Sequence, residues 1–332
     1  MTGIGEVALV GVVALLGAGL LVLAALVLFT ARTARRVERA LPPDGRFVEI
    51  DGARIHYHDR GTGPTLLLIH GLGGHARNFT YALVARLERE FRVVVMERPG
   101  SGYSTRAPGT AAGPRAQADT VAAFIRALDL GRPVLVGHSL GGAIALAVAS
   151  ADPELVGGLA LIAPLTGVQE TPPAAFERLY IRSPALRWFT AWTVATPLAI
   201  ARRQAVLEAL FAPDPVPPDF ATAGGGMLGL RPRGFYGAAT DLVAVRDDMP
   251  AIVERYASLQ VPVGVLFGTG DRILDHQVHG AAMAGRLADV QVQLVEGGHM
   301  LPLTRPDEAA ELVRDVARRA GALGTTGAAA AG

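Results

Sequence analysis

From Val7 to Phe29 the chain carries no charge (VALVGVVALLGAGLLVLAALVLF). No other feature restricts its folding as severely. A segment this apolar leaves water only if its backbone hydrogen bonds close within it, which in lipid means a helix. At helical rise the run spans roughly 35 Å, against a hydrocarbon core of about 30 Å. A cleaved signal peptide is the competing reading. Three features oppose it. The residues before the run hold Glu6 and no Arg, the run exceeds an h-region of about 7–15 residues, and no small-x-small cleavage site precedes a polar start. A buried core helix would need burial on every side. The expectation is a retained single-pass transmembrane anchor, residues 1–40 with its basic juxtamembrane segment.

The flanks orient it. Arg32, Arg35, Arg36 and Arg39 follow the run and no Arg precedes it, which places the rest of the chain in the cytoplasm. These arginines sit at head-group level, where they either pair with anionic membrane lipid or form a solvated flank. The run also accounts for a composition of 50% hydrophobic and 18% charged residues in 332, a balance that excludes bulk disorder. A net charge of +1 gives no field to recruit nucleic acid. The absence of cysteine excludes disulfides, thiolate metal sites and a cysteine nucleophile. Oligomeric state is not legible.

Leu41-Pro42-Pro43-Asp44-Gly45 reads as a linker. Strand and helix patterns then alternate. Phe47–Ile50 and Ile55–His58 flank an Asp51-Gly52 turn as a hairpin. Thr65–Ile69 and Arg92–Met96 are short apolar runs of the kind buried on both faces of a parallel sheet, and Pro133–Val136, Leu159–Ala163, Val261–Phe267 and Val290–Val295 read as further strands. Asn78–Glu90, Gln117–Leu128, Gly141–Ser150 and Pro306–Ala320 have helical spacing. This alternation predicts an α/β fold, a mostly parallel eight-stranded sheet with helices on both faces, over residues 45–320. From about 165 to 260 the rhythm stops. Aromatic and Arg-rich helical patterns there (Phe176–Tyr180, Leu186–Thr193, Ala199–Phe211) suggest an inserted helical cap. Residues 321–332, all Gly, Ala, Leu and Thr, read as a disordered tail.

Gly137-His138-Ser139-Leu140-Gly141 is a G-x-S-x-G placed between a predicted strand and a predicted helix. Side chains at either glycine would collide in so tight a turn, which holds the serine strained with its hydroxyl over the sheet. A phosphate-binding glycine loop is the alternative for such a turn.

With its neighbours this motif resembles the α/β-hydrolase superfamily, over nearly the whole chain after residue 45. His70-Gly71-Leu72-Gly73-Gly74 looks like the family's oxyanion loop, and Arg98-Pro99-Gly100-Ser101-Gly102-Tyr103-Ser104 like its R-P-G-x-G-x-S turn. Gly268-Thr269-Gly270-Asp271 is similar to its acid-bearing turn and Gly297-Gly298-His299 to its histidine loop. Glu97 stands where the family more often has Asp, at a structural position. The resemblance implies a triad of Ser139, Asp271 and His299, with the amides of Leu72 and Leu140 as the oxyanion hole. Serine needs a base, histidine can take and return a proton, and a carboxylate orients the imidazole.

Asp275 is an alternative carboxylate. Asp275, His276 and His279 have spacing that could hold a metal, but no further ligand is evident, so no metal or other cofactor is expected. His75, His138, Trp188 and Phe189 are candidate substrate contacts, and His56 and His58 structural or exposed residues. Asp247 and Asp248 read as a solvated turn. Ser rather than Asp at the elbow favours acyl transfer to water, and the anchor favours lipid-like or medium-chain esters. The layout resembles membrane-anchored monoacylglycerol-lipase-type hydrolases. Carbon–carbon bond hydrolysis, cofactor-free haloperoxidase chemistry, and a non-catalytic receptor or scaffold on the same fold remain alternatives.

Overall fold

A computed structural model of the chain describes residues 2–322, with side chains from residue 6 onward. Eight strands form one sheet: β1 (Arg46–Ile50), β2 (Ala53–Arg60), β3 (Thr65–Ile69), β4 (Arg92–Met96), β5 (Val134–His138), β6 (Gly158–Ile162), β7 (Val263–Gly268) and β8 (Val290–Val295). Their order is β1-β2-β4-β3-β5-β6-β7-β8. β1 and β2 pair antiparallel across the Asp51-Gly52 turn, β2 runs antiparallel to β4, and every later pairing is parallel. β3, β4, β5 and β6 are almost wholly buried because helices cover both faces, which is why they read as unbroken Leu/Val runs.

The helices are α1 (Thr2–Ala40), α2 (Arg77–Thr80), α3 (Leu83–Leu87), α4 (Pro114–Ala127), α5 (Leu140–Ala151), α6 (Pro184–Trp192), α7 (Ala195–Phe211), α8 (Pro232–Val253), α9 (His276–His279), α10 (Leu301–Thr304) and α11 (Pro306–Arg319). One helix read from Asn78 to Glu90 is in fact two, α2 and α3. Ala82 leaves helical geometry (φ −143°) beside Tyr81, whose hydroxyl donates to Asp219 at 2.8 Å, so a tertiary contact fixes the break. Gly321 and Ala322, assigned to the tail, instead close α11. Gly321 adopts φ 69°, its N–H donates to Arg318 C=O, and Ala322 N–H donates to Ala317 C=O, a Schellman cap. Residues 323–332 lie outside the described residues.

Between β6 and β7 the described chain holds α6, α7, α8 and short 3₁₀ turns, with no strand. α8 rests on α4 and α5 and so ties this helical insertion to the sheet domain. Asp248, expected in a solvated turn, lies in α8 and accepts the Arg115 N–H at 2.9 Å, in the first turn of α4.

α1 is long and apolar enough to cross a membrane, and its apolar stretch is exposed all round through Val22. From Leu23 onward one stripe is covered. Leu23 and Leu26 are half-buried, Thr30 and Val37 buried, and the helix packs against α6, α7 and the turn Gly226–Leu230. Val37 and Leu41 form an apolar cluster with Leu228, and Thr30 Oγ1 donates to Thr193 C=O at 3.3 Å.

Candidate active site

β5 ends and α5 begins at Ser139, which sits at φ 54°, ψ −121°, a conformation costing a non-glycine residue roughly 1–3 kcal/mol. Its neighbours force this turn. A Cβ at Gly137 would lie 2.7 Å from Gly141 O, and one at Gly141 would lie 2.0 Å from Ile69 O. The turn at β5 therefore nests against the end of β3. A Cβ at Gly71 would lie 2.8 Å from Ser139 Cβ, so the loop after β3 passes directly over the serine. Neither Leu72 N–H nor Leu140 N–H donates a backbone hydrogen bond among the described residues, and Leu140 N–H is the first amide of α5.

Asp271 and His299 meet at the far side. His299 Nδ1 donates to Asp271 Oδ2 at 2.7 Å, and Asp271 Oδ1 accepts from Ile273 N–H (2.7 Å) and Leu274 N–H (3.0 Å). Burial alone would raise the Asp271 pKa. The His299 charge and hydrogen bond and the two amides more than offset it, holding the carboxylate below its ordinary range. The two loops are laced together: Thr269 N–H donates to Val295 C=O and Gly270 N–H to Gly297 C=O. Asp275, the alternative carboxylate, instead caps α9 through Gln277 N–H at 2.8 Å.

His138 links the serine turn to the histidine loop. Its Nε2–H donates to His299 C=O at 2.9 Å and its ring lies 5.0 Å from the His299 ring, centroid to centroid. Ser139 Oγ itself forms no hydrogen bond among the described residues.

Of the four expected substrate contacts, two are buried and two are exposed. His138 is buried and spent on His299. His75 is buried against Gly225, where a Cβ would lie 2.3 Å from its Cε1. Trp188 and Phe189 stand 60% and 47% exposed on the outside of α6, beside α1. His56 and His58 are buried. His56 donates to Glu97 at 3.0 Å, and Glu97 also accepts from Tyr103 N–H, so this acid holds the turn after β4.

Arg98, marked in sequence by the turn motif it opens, is held by an acid that carried no sequence signal, and a second such acid holds the histidine loop. Arg98, fully buried, donates to His70 C=O (2.9 Å), Gly71 C=O (2.8 Å), Gln117 Oε1 (2.6 Å) and Asp241 Oδ2 (2.7 Å). It clamps the loop over Ser139 and pins it to α8. Asp214, between α7 and α8, accepts Gly298 N–H at 3.0 Å and pairs with Arg305 at 2.8 Å, holding the histidine loop from the other side. Both acids are far in sequence from their partners, and no local pattern marks them.

Metal-ligand geometry is incomplete. Asp44, His56 and His58 place ligand atoms within 4.8 Å of one another, but His56 Nε2 accepts Gly45 N–H, His56 Nδ1 serves Glu97, and Asp44 pairs with Arg77. His279, of the other candidate trio, accepts Thr166 N–H at Nδ1.

Burial holds His75 and His279 down to about 4 and His138 to about 3. Between its folded value and about 6.5, each therefore gains a proton on unfolding. Their stabilising effect is complete above pH 6.5, the unfolded value, and is lost as pH falls toward about 4, on the order of 3 kcal/mol per histidine. The thermal midpoint in detergent is expected to fall steeply between about pH 6.5 and 4.5. A flat midpoint across that window would contradict the burial of these rings.

A family model described as alpha/beta hydrolase family matches residues 66–312. The chain belongs to the alpha/beta hydrolase family. Among relatives of this alpha/beta hydrolase, an uncharacterized protein of Mycobacterium tuberculosis is 29% identical over 290 residues, 82% of this chain and 80% of that one. A solved membrane phospholipase A, described as a bacterial virulence factor, is 25% identical, with 95% of this chain and 99% of that chain covered at a TM-score of 0.61. A thermophilic esterase from Thermogutta terrifontis, 24% identical over 83% of this chain and 99% of its own, has a TM-score of 0.66 and speaks for the fold alone.

Proposed function

We propose that this alpha/beta hydrolase is a membrane-anchored serine hydrolase that cleaves carboxylic esters of lipid-like or medium-chain acyl groups through an acyl-serine. The observation that carries the reading is the pairing of His299 Nδ1 with Asp271, on loops laced to the turn that strains Ser139. Asp271 fixes the tautomer and leaves Nε2 free to act as base. Ser139 Oγ gives its proton to that nitrogen as it attacks the ester carbonyl. The amides of Leu72 and Leu140 receive the oxyanion, and losing one such donor typically costs about 10²–10³ in kcat. His299 then returns the proton to the leaving alcohol, and water, activated the same way, releases the acid.

The exposed apolar stretch of α1 supports anchoring, and the arginines after it support a cytoplasmic catalytic domain. The similar membrane phospholipase A supports an amphiphilic ester as substrate. A fluorophosphonate probe tests the chemistry: wild type is expected to label and Ser139→Ala to remain unlabelled. Unlabelled wild type that is folded would favour a scaffold. On p-nitrophenyl esters in detergent, octanoate is expected to exceed acetate in kcat/KM. The reverse order would remove the lipid-like substrate and leave the esterase.

A further inference from the structure

We infer that the outer face of the cap, formed by α6 and the start of α7, lies in the head-group layer of an anionic phospholipid bilayer beside α1. This rests on α1 being a membrane anchor.

The first observation is depth. The covered stripe of α1 begins at Leu23, six residues before the apolar run ends at Phe29. At helical rise that is roughly 9 Å inside the run. The cap therefore touches the anchor below the level where the anchor leaves hydrocarbon. The hydrogen bond from Thr30 to Thr193 sets the junction of α6 and α7 beside the last apolar residue of the run. An interfacial helix typically sinks its apolar face about 5–10 Å, which matches this depth.

The second observation is what the cap presents there. Leu186, Trp188, Phe189 and Leu198 are exposed by 42–60%, in a stretch of 13 residues that brackets Thr193. Water is a poor neighbour for four large apolar side chains exposed within one short stretch, and a tryptophan so placed suits the boundary of lipid and water. Meanwhile Arg187, on the same helix, turns inward and donates to Ile181 C=O, so α6 is amphipathic with its apolar side outward.

Charge selects the occupant. Arg202 and Arg203 on α7 and Arg32, Arg35 and Arg36 on α1, the two helices that meet here, are exposed. No acid lies between residues 178 and 207; exposed Glu177 and Glu208 bound that stretch, and exposed Glu38 is outnumbered by the four arginines around it on α1. A net basic set of side chains on the helices that carry the apolar residues complements anionic lipid and would repel a second copy of itself.

The chain supplies its own probes. It has two tryptophans, at 188 and 192, and no cysteine. Full-length Trp192→Phe is reconstituted into phosphatidylcholine–phosphatidylglycerol vesicles, with and without lipids brominated near the head group, and washed in alkaline carbonate. Carbonate-resistant protein whose Trp188 emission is blue-shifted and quenched by shallow bromolipid supports the placement. Carbonate-resistant protein quenched by aqueous acrylamide and not by bromolipid overturns it while leaving the anchor standing. Shielding from both quenchers also overturns it, because protein then covers the face. Protein stripped by carbonate defeats the anchor and this inference together. A nitroxide at Leu198→Cys, with both tryptophans kept, gives an independent reading should Trp192→Phe fold poorly. Relaxation by oxygen exceeding that by aqueous nickel chelate is the supporting result, and the opposite ratio overturns the placement.

Discussion

Ser139→Ala is expected to abolish ester hydrolysis while leaving the fold intact, a loss of roughly 10⁴- to 10⁶-fold in kcat with KM little changed. The fold survives because Ser139 Oγ serves no structural bond, and alanine removes only that atom. His299→Ala is expected to match it in kcat, since nucleophile and base act as one unit. The double variant is then no worse than either single one. Single-turnover kinetics on a chromogenic ester, together with the thermal midpoint, check this. Independent, multiplicative losses would mean that the two side chains do not share a step.

Arg98→Met carries the largest expected effect on stability, about 3–5 kcal/mol, because it strands the fully buried Asp241 carboxylate with Arg106 as its remaining partner. It also frees the carbonyls of His70 and Gly71, which orient the loop over Ser139. The paired change Arg98→Met with Asp241→Leu separates these effects. Stability is expected to return only in part, because the stranded carboxylate is gone but Arg106, 14% exposed, has lost its ion pair, whereas kcat stays low, because the loop carbonyls are still unheld. Urea midpoints and kcat measured on the same samples decide it. Recovery of both would confine Arg98 to a packing role.

The sheet was legible because strands buried on both faces announce themselves. Thr65–Ile69 and Arg92–Met96 occur with the bounds their apolar runs suggested, and Val290–Val295, an edge strand with no buried residue, keeps its bounds through alternation instead. The turn at Ser139 was legible for a different reason: its sterics are local, and Gly137 and Gly141 record them in five residues. Likewise His299 and Asp271 follow strand ends whose positions the runs already marked. What stayed hidden depends on partners distant in sequence. Asp241 meets Arg98 across 143 residues and Asp214 meets Gly298 across 84, and neither acid differs locally from a solvated one. Trp188 and Phe189 illustrate a further limit. An apolar stripe of helical period states that a face avoids water, but not whether protein or lipid will cover it.

Asp241 reaches from α8 to Arg98, and Asp214 from the end of α7 to the histidine loop. The insertion is thus braced to both halves of the proposed active site by a carboxylate apiece. A designer who transplanted a foreign insertion onto this sheet would acquire a new pocket wall and lose both struts. Selectivity and turnover would then shift together, unless those two acids were carried across with the graft.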